Sequence, residues 1–170
     1  MESETAKNLL AAFAGESQAF QKYRYFAEIA EKAGQPNVAR LFRATSAAEG
    51  VHIRRLLNAM MKNATTEGNL EKALAGETYE FTEMYPAMEA AAQAENRPDA
   101  KLIFTQNKQA EQMHARHYQE ALEALRRGVD VGAGVKIWLC PVCGAIEYGA
   151  NPPERCPVCN APGAKFQEMQ

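Results

Sequence analysis

The sequence predicts a mainly α-helical fold: a four-helix bundle followed by a small β/loop domain stapled by a metal. Three observations carry this expectation. Apolar residues recur every three or four positions through most of residues 4–127. The phrase Glu-x-x-His occurs twice within those helical stretches, at Glu49–His52 and Glu111–His114. All four cysteines fall between positions 140 and 159, as two Cys-x-x-Cys pairs.

The bulk numbers exclude several classes. A chain of 170 residues can bury a full core. Lys plus Arg is 19 and Asp plus Glu is 21, a balance that predicts binding to neither nucleic acid nor a membrane surface. Of the acids, 19 are Glu, which suits helices. The opening residues are acidic and polar, unlike a signal peptide, and no run of 18 apolar residues exists. The expected location is cytoplasmic.

The first helix is expected over residues 4–33, with Leu9, Phe13, Phe20, Tyr23, Ala27 and Ala30 on one stripe. Glu16 sits inside that stripe. Ala-Gly-Gln-Pro at 33–36 ends it, and Pro36 starts the second helix. That helix should run to about residue 63, its stripe being Val38, Leu41, Thr45, Glu49, His52, Leu56, Ala59 and Met60. Asn63 to Gly76 reads as a polar crossover between two halves of the bundle. The third helix is expected from about Glu77 to Glu95, kinked by Pro86. After the turn at 96–99, a fourth helix should run to about Arg127, with Ile103, Asn107, Ala110, Glu111, His114, Tyr118, Ala121 and Leu125 on one face. Gly128, Gly132 and Gly134 then form a short linker. The halves echo each other. A helix with an inward Glu precedes a helix with Glu-x-x-His, Glu16 lying 33 residues before Glu49 and Glu80 lying 31 before Glu111.

The candidate bundle ligands are Glu16, Glu49, His52, Glu80, Glu83, Glu111 and His114. Three-residue spacing on a helix puts carboxylate and imidazole on one face. Carboxylates are hard donors, and imidazole adds a donor suited to iron. Five clustered carboxylates repel one another in a low-dielectric bundle, and two cations would balance them. Tyr23 and Tyr118 share faces with ligands, so each either packs in the core or bonds to a ligand carboxylate. His117 fits no repeat, and the expectation for it is the surface or the margin of the site.

Cys140, Cys143, Cys156 and Cys159 stand at x2–x12–x2 spacing, which implies tetrahedral sulfur binding of iron or zinc. Gly144 and Asn160 follow the pairs directly, and both tolerate the left-handed backbone such turns need. Trp138, Tyr148 and Phe166 are the expected small core around the site.

These residues taken together carry a resemblance. Gly15-Glu16-Ser17, Glu49-x-x-His52, Glu80-Phe-Thr-Glu83-Met84-Tyr85-Pro86 and Glu111-x-x-His114, followed by Cys-Pro-Val-Cys-Gly and Cys-Pro-Val-Cys, closely resemble rubrerythrin over nearly the whole chain. The resemblance implies a ferritin-like domain over 1–132 with a non-haem di-iron site. It implies a rubredoxin-like domain over 133–170 with one iron held by four cysteines, zinc being a substitute. It implies a peroxidase that reduces hydrogen peroxide to water in oxidative-stress defence. Electrons would come from a donor protein such as a rubredoxin or its reductase, ultimately from NAD(P)H, and the assembly would be a head-to-tail homodimer. By position, Glu49 and Glu80 resemble bridging carboxylates, Glu16 a terminal ligand of one iron, and Glu111 with His114 ligands of the other. Glu83 and His52 resemble the pair that exchange on the first iron, and Tyr23 a tyrosine near the site. Two other functions fit parts of the pattern: a ferroxidase that handles iron, and a zinc-ribbon binding module on a helical scaffold.

Overall fold

The computed structural model describes residues 3–132 and 134–170. The chain divides into two compact units, Met1–Ala64 and Thr65–Gln170, each described by itself.

The first unit is a helix pair, α1 (Glu4–Lys32) and α2 (Pro36–Met60). Ser3 caps α1 by accepting from the Ala6 N–H at 3.2 Å. The seam between the helices is built on small residues. Ala27, Ala30, Ala39 and Ser46 are buried, and the Ser46 hydroxyl donates to the Phe20 carbonyl across the seam at 2.8 Å. Gly50 also serves close approach, since a Cβ there would lie 3.3 Å from the Phe20 ring. Phe26 and Phe42 meet edge to face, with centroids 5.5 Å apart. The expected second-helix stripe is therefore displaced. Val38 and Leu41 are exposed, because the small-residue seam lies beside that stripe rather than along it.

The second unit holds α3 (Thr66–Tyr79), a π-helical turn (Glu80–Met84), α4 (Tyr85–Ala94) and α5 (Pro98–Arg126). The stretch 63–76, expected as a polar crossover, is instead mostly helix. Thr65 caps α3, accepting from the Gly68 N–H at 3.1 Å. Glu67 and Glu71 both bind Arg126 near the end of α5. An interior glycine costs a helix only about 1 kcal/mol, so Gly68 and Gly76 did not break it. The disturbance expected at Pro86 takes the form of the π turn just before it.

The C-terminal part is a three-stranded antiparallel sheet in the order β2-β1-β3, from β1 (Ile137–Leu139), β2 (Ile146–Tyr148) and β3 (Gln167–Met169). Its core is Cys140, Ala145, Cys156, Ala161 and Phe166, with Trp138 and, from α5, Met113 packed against it. Tyr148, expected in that core, instead packs against His117, with ring centroids 4.4 Å apart and planes tilted by 52°. Among the described residues, no helix is long and apolar enough to cross a membrane.

Candidate metal centres

Among the described residues, three clusters of metal-ligand types form. In the first unit, Glu16, Glu49 and His52 place one donor atom each within 4.8 Å of one another. His52 Nδ1 lies 2.8 Å from Glu49 Oε2 and 3.5 Å from Glu16 Oε1. In the second unit, Glu77, Glu111 and His114 do the same. His114 Nδ1 lies 2.7 Å from Glu111 Oε2 and 3.9 Å from Glu77 Oε2. The helical i, i+3 spacing produces both short contacts.

Glu77 is absent from the sequence-based ligand set, and it displaces the residues chosen there by one turn. Glu80 lies beside this cluster and feels the charges of Glu77 and His114. Glu83 is exposed and belongs to neither cluster. The repeat itself carried the missing signal. Gly15-Glu16 is followed by Phe20 four residues after the glutamate and by Tyr23 seven after; Gly76-Glu77 is followed by Phe81 at four and by Tyr85 at eight. Glu16 precedes Glu49 by 33 residues, and Glu77 precedes Glu111 by 34. One residue is inserted between Phe81 and Tyr85, and the chain absorbs it as the π turn, where the Tyr85 N–H bonds back to the Glu80 carbonyl. Register then resumes: Tyr23 faces Phe42 at 6.2 Å between centroids, and Tyr85 faces Phe104 at 6.3 Å.

Crowding of the carboxylates makes the second cluster a candidate cation site. Burial first, and then the Glu111 carboxylate, holds Glu77 above the usual carboxylate range. Burial and then Glu77 do the same to Glu80. A cation among them would relieve both. Tyr85 is a further residue missed in the sequence. Burial pushes its phenol up, a hydrogen bond from Asn107 pulls the other way, and the charges of Glu111, Glu80 and Glu77 add to the rise. The Asn107 amide donates to the Tyr85 oxygen at 3.2 Å. Tyr23 packs against Phe26 and Phe42.

The four cysteines form the third cluster. Cys140 and Cys159 sulfurs lie 3.6 Å apart, as do those of Cys143 and Cys156. Tetrahedral sulfurs on a metal bond of about 2.3 Å stand about 3.8 Å apart, so the cage fits one ion. Two matching turns build it. Gly144 N–H bonds to the Cys140 carbonyl and Asn160 N–H to the Cys156 carbonyl, each at 2.9 Å. Gly144 and Asn160 have φ of 81° and 62°, the left-handed backbone expected there. Burial pushes the Cys143 and Cys159 thiols up. At Cys140 burial is outweighed by the N–H groups of Val142 and Cys143, which draw that thiol down. Backbone donors thus already favour a thiolate, as a metal requires.

α5 joins the second and third clusters. His114 Nε2 lies 2.9 Å from the Gly144 carbonyl, and His117 Nε2 lies 2.9 Å from the Ile146 carbonyl. His117 is buried, not at the surface.

Comparison with known proteins points to one family. The rubrerythrin family model matches residues 7–122, and the model of the rubrerythrin rubredoxin-like domain matches 138–167. The chain is 38% identical to nigerythrin of Nitratidesulfovibrio vulgaris, covering 95% of this chain and 85% of that one. It is 33% identical to rubrerythrin of the same organism, covering 97% and 94%. Rubrerythrin-2 of Clostridium acetobutylicum is 31% identical over 96% of this chain and 95% of its own. The solved structure of nigerythrin in a mixed-valent state matches with a TM-score of 0.57 at 35% identity, covering 99% of this chain and 88% of that one. The ferritin-like helices and the rubredoxin-like four-cysteine domain therefore have a common source: the chain belongs to the rubrerythrin family.

Proposed function

We propose that the protein is a peroxidase that reduces hydrogen peroxide to water, with electrons entering through the four-cysteine centre. The observation that carries this reading is the hydrogen bond between His114 and Gly144. Gly144 follows Cys143 directly, so a sulfur ligand and an imidazole ligand are joined by a short backbone segment and one hydrogen bond. A storage protein or a zinc-ribbon scaffold has no use for such a path.

Glu16, Glu49 and His52 would hold one iron, Glu77, Glu111 and His114 a second, and the four cysteines a third. The carboxylate-bound irons, when bound, supply the two electrons that cleavage of the peroxide O–O bond takes. The remaining work falls to the chain. Two protons must accompany the two electrons to form two waters. Asn107 donates to the Tyr85 oxygen, which leaves the phenol proton free to point elsewhere, and the Glu77, Glu80 and Glu111 charges act on that phenol. Tyr85 thus holds a proton beside the carboxylates, which suits proton delivery. Glu80, outside either triad, becomes the spare carboxylate, the part that the resemblance had given to Glu83. His114 Nε2 faces a carbonyl and so carries its proton, which leaves Nδ1 as the donor atom toward a metal.

The supporting assembly is proposed with this function: a head-to-tail homodimer in the cytoplasm, served by a rubredoxin-like donor or its reductase. The domain boundary near 132/133 belongs to the same proposal. The test is turnover with hydrogen peroxide in the iron-loaded protein, supplied with a reduced rubredoxin. Consumption of peroxide with matching oxidation of the donor is expected. Iron deposited as mineral, with no peroxide consumed by that route, would replace this reading with iron handling.

A further inference from the structure

α5 meets the four-cysteine domain through Met113, His114 and His117. Among the described residues, the bonds from His114 and His117 are the only side-chain hydrogen bonds between α5 and residues 137–170. Both acceptors are carbonyls, so each Nε2 carries the proton and donates. In His114 this frees Nδ1 for a metal. In His117 it leaves Nδ1 buried with no hydrogen-bond partner, the Glu120 carboxylate standing 3.7 Å away. A buried unpaired nitrogen carries a desolvation penalty, which the Nε2 bond and the contact with the Tyr148 ring offset.

The two bonds form a two-point attachment. His114 and His117 are about 4.5 Å apart along the helix axis. Gly144 and Ile146 are about 6.6 Å apart along an extended chain. A single bond would fix one distance and leave the domain free to pivot on it. The second bond fixes the angle. We propose that His117 is a positioning residue, which holds the Ile146 carbonyl so that the Gly144 carbonyl stays seated on His114 Nε2. The inference rests on the electron path proposed above, because the seat is where that path crosses from the cysteines to the helix.

The test compares His117→Ala with His117→Gln, whose amide can still donate to Ile146, in the full-length iron-loaded chain. Two readouts are taken. Hydrogen exchange follows residues 137–148, and stopped-flow absorbance follows reoxidation of the cysteine-bound iron after mixing reduced protein with peroxide. His117→Ala should raise exchange across residues 144–148 and slow reoxidation by about tenfold to a hundredfold, as small misplacements of reacting groups do. Iron content should not change, and His117→Gln should restore most of both readouts. Unchanged exchange and rate in His117→Ala would overturn the inference. So would a loss that Gln does not rescue and that spreads over all of residues 137–170, the mark of a merely structural role. If the wild-type cysteine iron does not respond to peroxide at all, the electron path fails, and the exchange readout alone then decides whether His117 seats the domain.

Discussion

The two helix pairs carry the same ligand pattern, yet they treat their histidines differently. In the first pair the His52 side chain is 47% exposed and its Nδ1 faces Glu49 and Glu16. In the second the His114 side chain is 18% exposed, held at Nδ1 by Glu111 and at Nε2 by Gly144. The second pair also contains an inserted residue, taken up as a π turn between Glu77 and Tyr85. One half of a duplicated device has been fastened to the four-cysteine domain, while the other has kept the freer ligand. The lesson is that a repeat can be preserved in its donors and still divided in its duties by what packs on the outer nitrogen of one ring.

The largest expected effect comes from breaking the second pair at its least obvious member. Glu77→Ala should weaken iron binding by at least about tenfold to a hundredfold, a range typical even of groups that only support a ligand. Glu83→Ala should leave iron content unchanged. Equal loss in both variants, by metal analysis after dialysis, would undo the assignment. Next, the histidines should separate. His114→Ala should abolish reoxidation of the cysteine-bound iron by peroxide, whereas His52→Ala should slow peroxide consumption and leave hydrogen exchange at Gly144 untouched.

Deleting Thr82 should convert the π turn to α-helix and make the two halves equal in spacing. Pro86 would then sit inside an unrelieved α-helix, at a cost of about 3 kcal/mol, measurable by urea denaturation. The smallest effect concerns Glu89, whose carboxylate binds Lys108 and ties α4 to α5. The Lys108 hydrogen bond first, and then one from Thr105, hold it below the usual range. The folded state therefore binds that proton less readily than the unfolded chain. The contribution is full above the unfolded value of about 4.3 and fades as pH falls through the folded value. Glu89→Gln should cost up to about 1 kcal/mol at neutral pH and nothing in strong acid.

Much of this was legible in the residues. The helices, the two Glu-x-x-His phrases and the cysteine cage follow from spacing, because each depends on local geometry. The misses have physical causes. Gly68 and Gly76 read as breakers, but the Thr65 cap and the Arg126 pairing outweigh their small helix penalty. An assumed regular helix hides a one-residue insertion and with it Glu77, although the Gly-Glu pair and a spacing of 34 residues to Glu111, against 33 from Glu16 to Glu49, point to it. The sequence points His117 to the surface or the margin of the site because its hydrogen-bond partner is a backbone carbonyl, that of Ile146, which no side-chain motif announces.

The central claim is that electrons pass from the four-cysteine iron, across Gly144 and His114, to peroxide at the carboxylate-histidine centre. The most direct measurement mixes fully reduced iron-loaded protein with hydrogen peroxide and follows the thiolate-to-iron band. The account predicts that the band returns as peroxide is consumed, at a rate set by the protein rather than by free peroxide attacking the sulfurs, and that His114→Ala removes the return. Peroxide consumed while the band stays bleached, or a return that His114→Ala leaves intact, would contradict it.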